Sequence, residues 1–308
     1  MTGSSPVTAE LATLAAPRAA RAGAPVRSAP ALFITPLVLV MAVGFVWPLF
    51  QVLANSFHPN TPQGIDVAHW TLDNYRRLVD PLYASILWRT LRISAAVTAI
   101  TALLAYPVAL FLARLSPRAQ SWMVLAYVSP WLVNTVVKAL GWTLLLRGNG
   151  VINTVLRELD IISAPLRLLL TETGVVIALV PGHFMFVLLP LWTAISALDP
   201  ALAWAAGTLG ATPFGVFRRV ILPLTLPALL VGLVINFIMN MTAFAIPMLL
   251  GGVRNEVASM LAYQINLVSL DWPLGGALAA ALLLLTSTLV WAGQRAALMG
   301  VARRGAKP

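Results

Sequence analysis

The sequence predicts an all-α fold, a polytopic membrane bundle of six transmembrane helices joined by polar loops. The chain has 308 residues, of which 59% are hydrophobic and only 10% charged, too little charge to cover a soluble domain of this size. Several apolar runs exceed the roughly 20 residues that a bilayer-spanning helix needs. The formal charge of +10 is typical of a topology signal and of contact with anionic lipid, so no nucleic acid is expected.

Residues 1–29 are rich in Ala, Pro, Ser and Arg, and Glu10 is their one acidic residue. This composition predicts a disordered tail, although an Arg-rich, acid-poor segment is also typical of a transit peptide. A transmembrane domain is predicted over 30–300 and a second short tail over 301–308. The six spans are predicted at 31–54, 90–113, 121–146, 173–197, 226–250 and 274–298.

Charge predicts the orientation of these spans. Both termini and the loops at 114–120 and 198–225 carry Lys and Arg with few acids, whereas basic and acidic residues balance in the loops of the other side. Loops rich in Lys and Arg stay on the cytoplasmic side. The termini and residues 198–225 are therefore predicted to be cytoplasmic.

The loop 198–225, called the coupling loop below, has the pattern of two short helices. Asp199-Pro200 and Thr212-Pro213 each combine a helix-capping side chain with a proline suited to the first helical position. Gly210 separates the two helices, and Pro223 is expected to close the second. Helices this short cannot span a membrane, so the pattern predicts either contact with lipid head groups or docking into a groove on a partner.

The coupling loop and three other segments resemble a known family of proteins. "DPALAWAAGTLGATPFGVFRRVILPLTLP" (199–227) resembles the cytoplasmic EAA loop of membrane subunits of binding-protein-dependent ABC importers. "WTLDNYRRLVDP" (70–81), "KALGWTLLLRGNGVINTVL" (138–156) and "FVLLPLW" (186–192) resemble the spermidine/putrescine-type branch of that family. The resemblance covers residues 31–298.

The resemblance implies a permease subunit of a bacterial cytoplasmic (inner) membrane importer, with both termini cytoplasmic. Such a subunit forms half of a translocation pathway with a second permease subunit, either a homologue or a second copy of the same chain. It receives solute, here a polyamine or another small amine or organic solute, from a periplasmic binding protein. Residues 199–223 would couple it to cytoplasmic ATPase subunits that hold ATP and Mg²⁺. The chain itself has no phosphate-binding glycine motif, so no enzyme activity, cofactor or metal is expected in it.

The coupling loop departs from the family pattern at one position. Members usually place a Glu before the paired alanines, and here Trp204 stands there. The charge-assisted contact that such a Glu makes is therefore lost. Docking then rests on apolar packing and the Arg pair, or the partner ATPase differs correspondingly, or coupling is weak. The expected coupling residues are Asp199, Trp204, Ala205, Ala206, Gly210, Phe214, Phe217, Arg218, Arg219 and Pro223.

Polar residues within the predicted spans are candidates for the translocation pathway. Lys138 is placed in the third span, and a charge at that depth requires protein or water around it. The alternative for Lys138 is a structural contact with a carbonyl or with the other membrane subunit. Asparagines on one helical face also join helices, and a lone histidine is typical of helix packing. The candidate pathway residues are Asn134, Lys138, His183, Asn236 and Asn240.

Two other functions stay open on the sequence, a self-contained secondary transporter and a membrane scaffold without transport. A secondary transporter favours inverted repeats and acids within the membrane. The sequence shows no clear repeat and no acid deep in a predicted span. The importer subunit is therefore the preferred interpretation.

Overall fold

A computed structural model describes residues 29–305, with side chains described from 35 to 295. Most of the predicted tail, residues 1–28, lies outside the described residues, as do residues 306–308. The chain divides into two compact units between Gln51 and Val52. The described residues are mostly helical, and their strands form one short antiparallel hairpin of Asn60–Thr61 and Gly64–Ile65, which confirms the all-α prediction.

Most helices follow one another after short breaks, and residues 56–72 and 159–171 are longer connections. In chain order the α-helices are Ala29–Met41, Trp47–Asn55, Asp73–Leu78, Pro81–Leu112, Pro117–Leu132, Thr135–Leu146, Val151–Glu158, Glu172–His183, Met185–Ser196, Pro200–Thr208, Pro213–Val216, Leu222–Met241, Ala245–Leu250, Ala258–Tyr263 and Trp272–Gly305. Turns of π-helix occur at Ala42–Val46, Phe217–Ile221 and Gln264–Val268, and a 3₁₀ turn at Val253–Asn255.

The membrane-spanning segments fall into two kinds. Four unbroken helical runs are long and apolar enough to cross a bilayer: Thr35–Asn55, Pro81–Leu112, Pro213–Met241 and Trp272–Arg295. Two bent helix pairs meet the same criteria as pairs: Pro117–Leu132 with Thr135–Glu158, and Glu172–His183 with Met185–Ser196. If each bent pair counts as one span, the described residues hold the six predicted spans, which we number in chain order.

Several helix ends differ from the ends of the predicted spans. The helix of the second span begins at Pro81, before the predicted start at 90, and a proline is favourable in a first turn. The helix of the fifth span ends at Met241 rather than 250, and Ala245–Leu250 is a separate helix. The last helix continues to Gly305, and the boundary of the transmembrane domain at 300 stays a prediction.

Buried apolar side chains of the second unit form clusters that divide the fourth span in two. Its first half contributes Val175 and Leu179 to a cluster shared with the second and third spans and with Ala245–Leu250. Its second half contributes Leu188 and Leu191 to a cluster with the second span, against which residues of the fifth span pack. Close packing of this kind holds membrane helices together. The bend of the fourth span therefore lies between two separately packed regions.

Candidate functional site

The first helix of the coupling loop begins and ends where its sequence pattern predicts. The Asp199 carboxylate accepts a 2.8 Å hydrogen bond from the Ala201 amide, and the helix runs over Pro200–Thr208. Gly210 then adopts a φ of +83°, a left-handed conformation that glycine takes without strain. The helix is thus fixed at both ends by local interactions.

The second helix of the loop does not end at Pro223, as predicted, but continues into the fifth span. Thr212 caps it through a 3.2 Å hydrogen bond from the Gly215 amide, and one helical run then extends over Pro213–Met241. A π turn ends where the Leu222 amide donates to the Phe217 carbonyl. Pro223 therefore falls in the first turn of the following helix, where a proline is tolerated.

Three large apolar side chains of the coupling loop are exposed. Trp204 is 77% exposed, Leu209 88% and Phe214 70%. Arg218 and Arg219 of the same loop are exposed, as is Ala205, whereas Ala206 is half-buried. Large exposed apolar side chains in one short segment are expected where a protein or a membrane binds.

Phe217 has a different role from the other predicted coupling residues. Its ring packs edge-on against Tyr106 of the second span, with ring centroids 5.0 Å apart. The Tyr106 hydroxyl in turn shares a 2.6 Å hydrogen bond with Thr225. Phe217 therefore connects the coupling loop to the bundle, and no sequence pattern indicated its partner Tyr106.

The third span, predicted as one helix over 121–146, is broken. Its two halves meet at an angle of 95° around Val133 and Asn134. The Asn134 side-chain oxygen accepts a 2.8 Å hydrogen bond from the Val136 amide and so caps the second half. Asparagine favours such caps over helix interiors because its side chain competes for backbone groups. We call residues 133–134 the third-span break.

Lys138 lies one turn beyond the third-span break. Its side chain is half-buried, and within the described part of the chain its ammonium group has neither a hydrogen bond nor an ion pair. It lies close enough to His183 of the fourth span to interact with it electrostatically. Two of the predicted pathway residues, from different spans, thus interact electrostatically.

The fourth span bends by 44° at Phe184, which we call the fourth-span break. There the Val187 amide bonds to the Phe184 carbonyl at 3.2 Å, so the His183 carbonyl loses its usual helical partner. The Asn236 side-chain amide of the fifth span donates to that carbonyl at 2.9 Å. A side chain of another span therefore satisfies the carbonyl that the break leaves free.

His183, Asn236, Asn240 and Thr98 form one hydrogen-bonded set, called the amide network. Asn240 donates to both the side-chain and the backbone oxygen of Asn236, at 2.8 Å each. The Thr98 hydroxyl of the second span donates to the Asn236 side chain at 3.1 Å. Asn236 and Asn240 are buried. The sequence pattern of asparagines four residues apart pointed to this region, but not to Thr98.

Two aromatic contacts join the two breaks. Trp131 packs edge-on against Phe186 with centroids 6.1 Å apart, and Tyr127 stacks on Phe184 at 5.6 Å. Both residues of the third span precede its break, and both of the fourth span lie at or just after its break. The breaks therefore lie beside each other.

An ionic cluster at the start of the second and fourth spans was missed in the sequence. Glu172 pairs with Arg89 at 3.1 Å and also with Arg92, and Arg89 donates to the Glu256 backbone carbonyl at 3.2 Å. Burial raises the pKa of the Glu256 carboxyl, and the nearby Arg89 opposes that shift. These partners are 80 or more residues apart, so no local pattern could show them. Within the described residues no group of His, Cys, Asp and Glu side chains suits a metal ion.

Comparison with known proteins decides the family. No family model matches the chain. The spermidine/putrescine transport system permease protein PotB of Haemophilus influenzae is 34% identical over 265 residues, covering 84% of this chain and 93% of the relative. The chain belongs to this family of ABC transporter permease proteins. PotB of Escherichia coli K12 is 32% identical, covering 75% of this chain and 84% of the relative.

A solved structure agrees on the fold. A chain of a bacterial ABC transporter involved in the import of alginate superposes with a TM-score of 0.71 at 17% identity, covering 90% of this chain and 95% of that one. The role comes from the PotB relatives: the chain is a multi-pass permease subunit of an ABC importer. Neither a secondary transporter nor a scaffold without transport accounts for this membership.

Proposed function

We propose that this permease forms half of the pathway of an inner-membrane importer, beside a second permease subunit, and that its coupling loop docks into a cytoplasmic ATPase. The observation that carries the proposal is the exposure of three large apolar side chains, Trp204, Leu209 and Phe214, in the loop that also holds the exposed Arg pair. Burying large apolar side chains in a partner groove stabilises a complex. ATP and Mg²⁺ belong to that ATPase, and a periplasmic binding protein supplies the solute on the opposite side.

The translocation pathway is proposed to pass the two adjoining breaks. Asn134 and Lys138 are at the third-span break, and His183 is at the fourth-span break. Broken helices near the membrane centre supply polar groups to solutes without exposing backbone to lipid. Asn236 and Asn240 are buried behind His183 and are proposed to hold it in place. The solute is proposed to be a polyamine or another small amine, as the names of the relatives suggest.

Docking by the apolar surface is tested by replacing Trp204. We expect Trp204→Ala to weaken co-purification with the ATPase in detergent, since truncating an aromatic residue at the centre of an interface costs about 2 kcal/mol or more, on the order of 30-fold in affinity. Ala201→Ser, on the same helix, is the control. Undiminished co-purification of the ATPase with Trp204→Ala would show that Trp204 does not contribute to docking.

Coupling is tested by reversing the charge of the Arg pair. Arg218→Glu with Arg219→Glu is expected to abolish the stimulation of ATP hydrolysis by solute-loaded binding protein, since both side chains are exposed at the proposed interface. Arg118→Glu is the matched control, because Arg118 is exposed in the loop predicted to lie on the same side of the membrane. If the double variant is stimulated as well as the wild type, the loop has no coupling role.

A further inference from the structure

One nitrogen of the His183 imidazole has its role fixed by the amide network. The Asn240 amide nitrogen donates to two oxygens of Asn236, so the oxygen of Asn240 is the atom turned toward His183. That oxygen lies 2.8 Å from His183 Nδ1 and can only accept, so Nδ1 carries the hydrogen. In the neutral ring the other nitrogen, Nε2, is then a hydrogen-bond acceptor.

The Nε2 atom of His183 has no hydrogen-bond partner among the described residues. The oxygens of Asn236 and Asn240 accept hydrogen bonds within the amide network, and Lys138 is a donor only. The Asn134 side-chain oxygen accepts from the Val136 amide and keeps a second acceptor site, because an amide oxygen has two lone pairs. A solute N–H group at the fourth-span break would therefore find an unpaired acceptor at His183.

We infer that His183 Nε2 accepts a hydrogen bond from an N–H group of the transported solute, and that Asn240 acts as a positioning residue by fixing the tautomer of the ring. The inference rests on the proposed function and narrows it: the breaks select solutes with N–H donors, such as amines. Asn236 stabilises this arrangement, because its side chain donates a hydrogen bond to the His183 carbonyl and accepts one from the Asn240 amide.

The test measures how much putrescine is moved per ATP hydrolysed. The complete importer (both permease subunits, ATPase and binding protein) is reconstituted in proteoliposomes with saturating loaded binding protein and radiolabelled putrescine. His183→Phe keeps a ring but removes the acceptor. We expect putrescine per ATP to fall about tenfold, the equivalent of one hydrogen bond to a charged group, while stimulated ATP hydrolysis stays within about twofold.

Two further variants separate positioning from folding. Asn240→Leu leaves His183 in place but frees its tautomer, and we expect a smaller loss, about threefold to fivefold. His183→Gln restores the arrangement, because its amide nitrogen can donate to Asn240 while its oxygen accepts from the solute, so putrescine per ATP should recover to within about threefold. Thr288→Val is the control, since the Thr288 hydroxyl bonds only to its own helix, at the Leu284 carbonyl.

The outcomes distinguish this inference from the proposed function. An unchanged ratio in His183→Phe overturns the inference alone. A parallel fall of uptake and ATP hydrolysis in both His183→Phe and His183→Gln shows a structural role and also overturns it. A wild-type importer that hydrolyses ATP with loaded binding protein but takes up neither putrescine nor spermidine overturns the amine assignment of the proposed function, and the inference with it.

Discussion

The two broken spans show two ways of interrupting a membrane helix. At the third-span break the Asn134 side chain accepts a hydrogen bond from the Val136 amide and so caps the helix that follows it. Residues 131–137 are all exposed in this chain. At the fourth-span break the free carbonyl of His183 is satisfied by Asn236 from another span, in a buried network. The first break is thus locally capped, and the second is braced by its neighbours.

This difference determines how much free energy is needed to change the angle at each break. Changing the angle at the third-span break disturbs one cap and no buried hydrogen bond between spans. Changing the angle at the fourth-span break would expose or orphan several buried polar groups, each of which is costly in a membrane interior. We therefore expect substitutions at the fourth-span break to reduce stability much more than those at the third.

The largest effect is expected from Asn236→Leu. The leucine leaves the His183 carbonyl and the Thr98 hydroxyl without partners, at about 1–3 kcal/mol for each buried group. The free energy of unfolding, measured by SDS titration of the purified subunit in mixed micelles, should fall by about 2–4 kcal/mol. Thr288→Val should leave it nearly unchanged. If Asn236→Leu lowers the free energy of unfolding no more than Thr288→Val does, the hydrogen bonds of Asn236 do not stabilise the fourth-span break.

A smaller but clear effect is expected from Gly232→Ala. A Cβ at this position would lie 2.9 Å from both the Phe186 carbonyl oxygen and Val187 Cα, so the fifth span would be pushed away from the fourth just beyond its break. Overpacking of this kind costs about 1–3 kcal/mol. Gly141→Ala is the matched control, because nothing lies within 4 Å of the added carbon. Equal stability of the two variants in the same titration would contradict the close approach.

The smallest effect is expected from Asn134→Ala at the third-span break. Loss of a helix cap costs about 1 kcal/mol, and no tertiary contact of the Asn134 side chain is lost with it. Asn134→Ser should restore most of the stability, since a serine hydroxyl can also accept from the Val136 amide. If Asn134→Ala destabilises the subunit as strongly as Asn236→Leu, the two breaks do not differ in the way described.

Local signals were readable in the sequence, and long-range ones were not. Asp199, Gly210 and Thr212 act within a few residues of themselves, and the two helix caps and the glycine between the helices were predicted correctly. Asn134 carried the same capping signal, but the continuous apolar run around it predicted an unbroken helix. The prediction for Pro223 was wrong because a π turn shifts the proline into a first turn, which no spacing rule reveals. The partners of His183 and Phe217 lie in other spans, so only the folded chain shows them.

The unbroken run Pro213–Met241 has a mechanical consequence. Its 29 residues correspond to about 43 Å of α-helix at 1.5 Å per residue. Arg218 and Arg219 lie near one end, and Asn236 and Asn240 lie near the other. If the loop docks as proposed, a displacement at the loop would act on the amide network through one continuous helical run, which includes the π turn Phe217–Ile221 and the prolines Pro223 and Pro227.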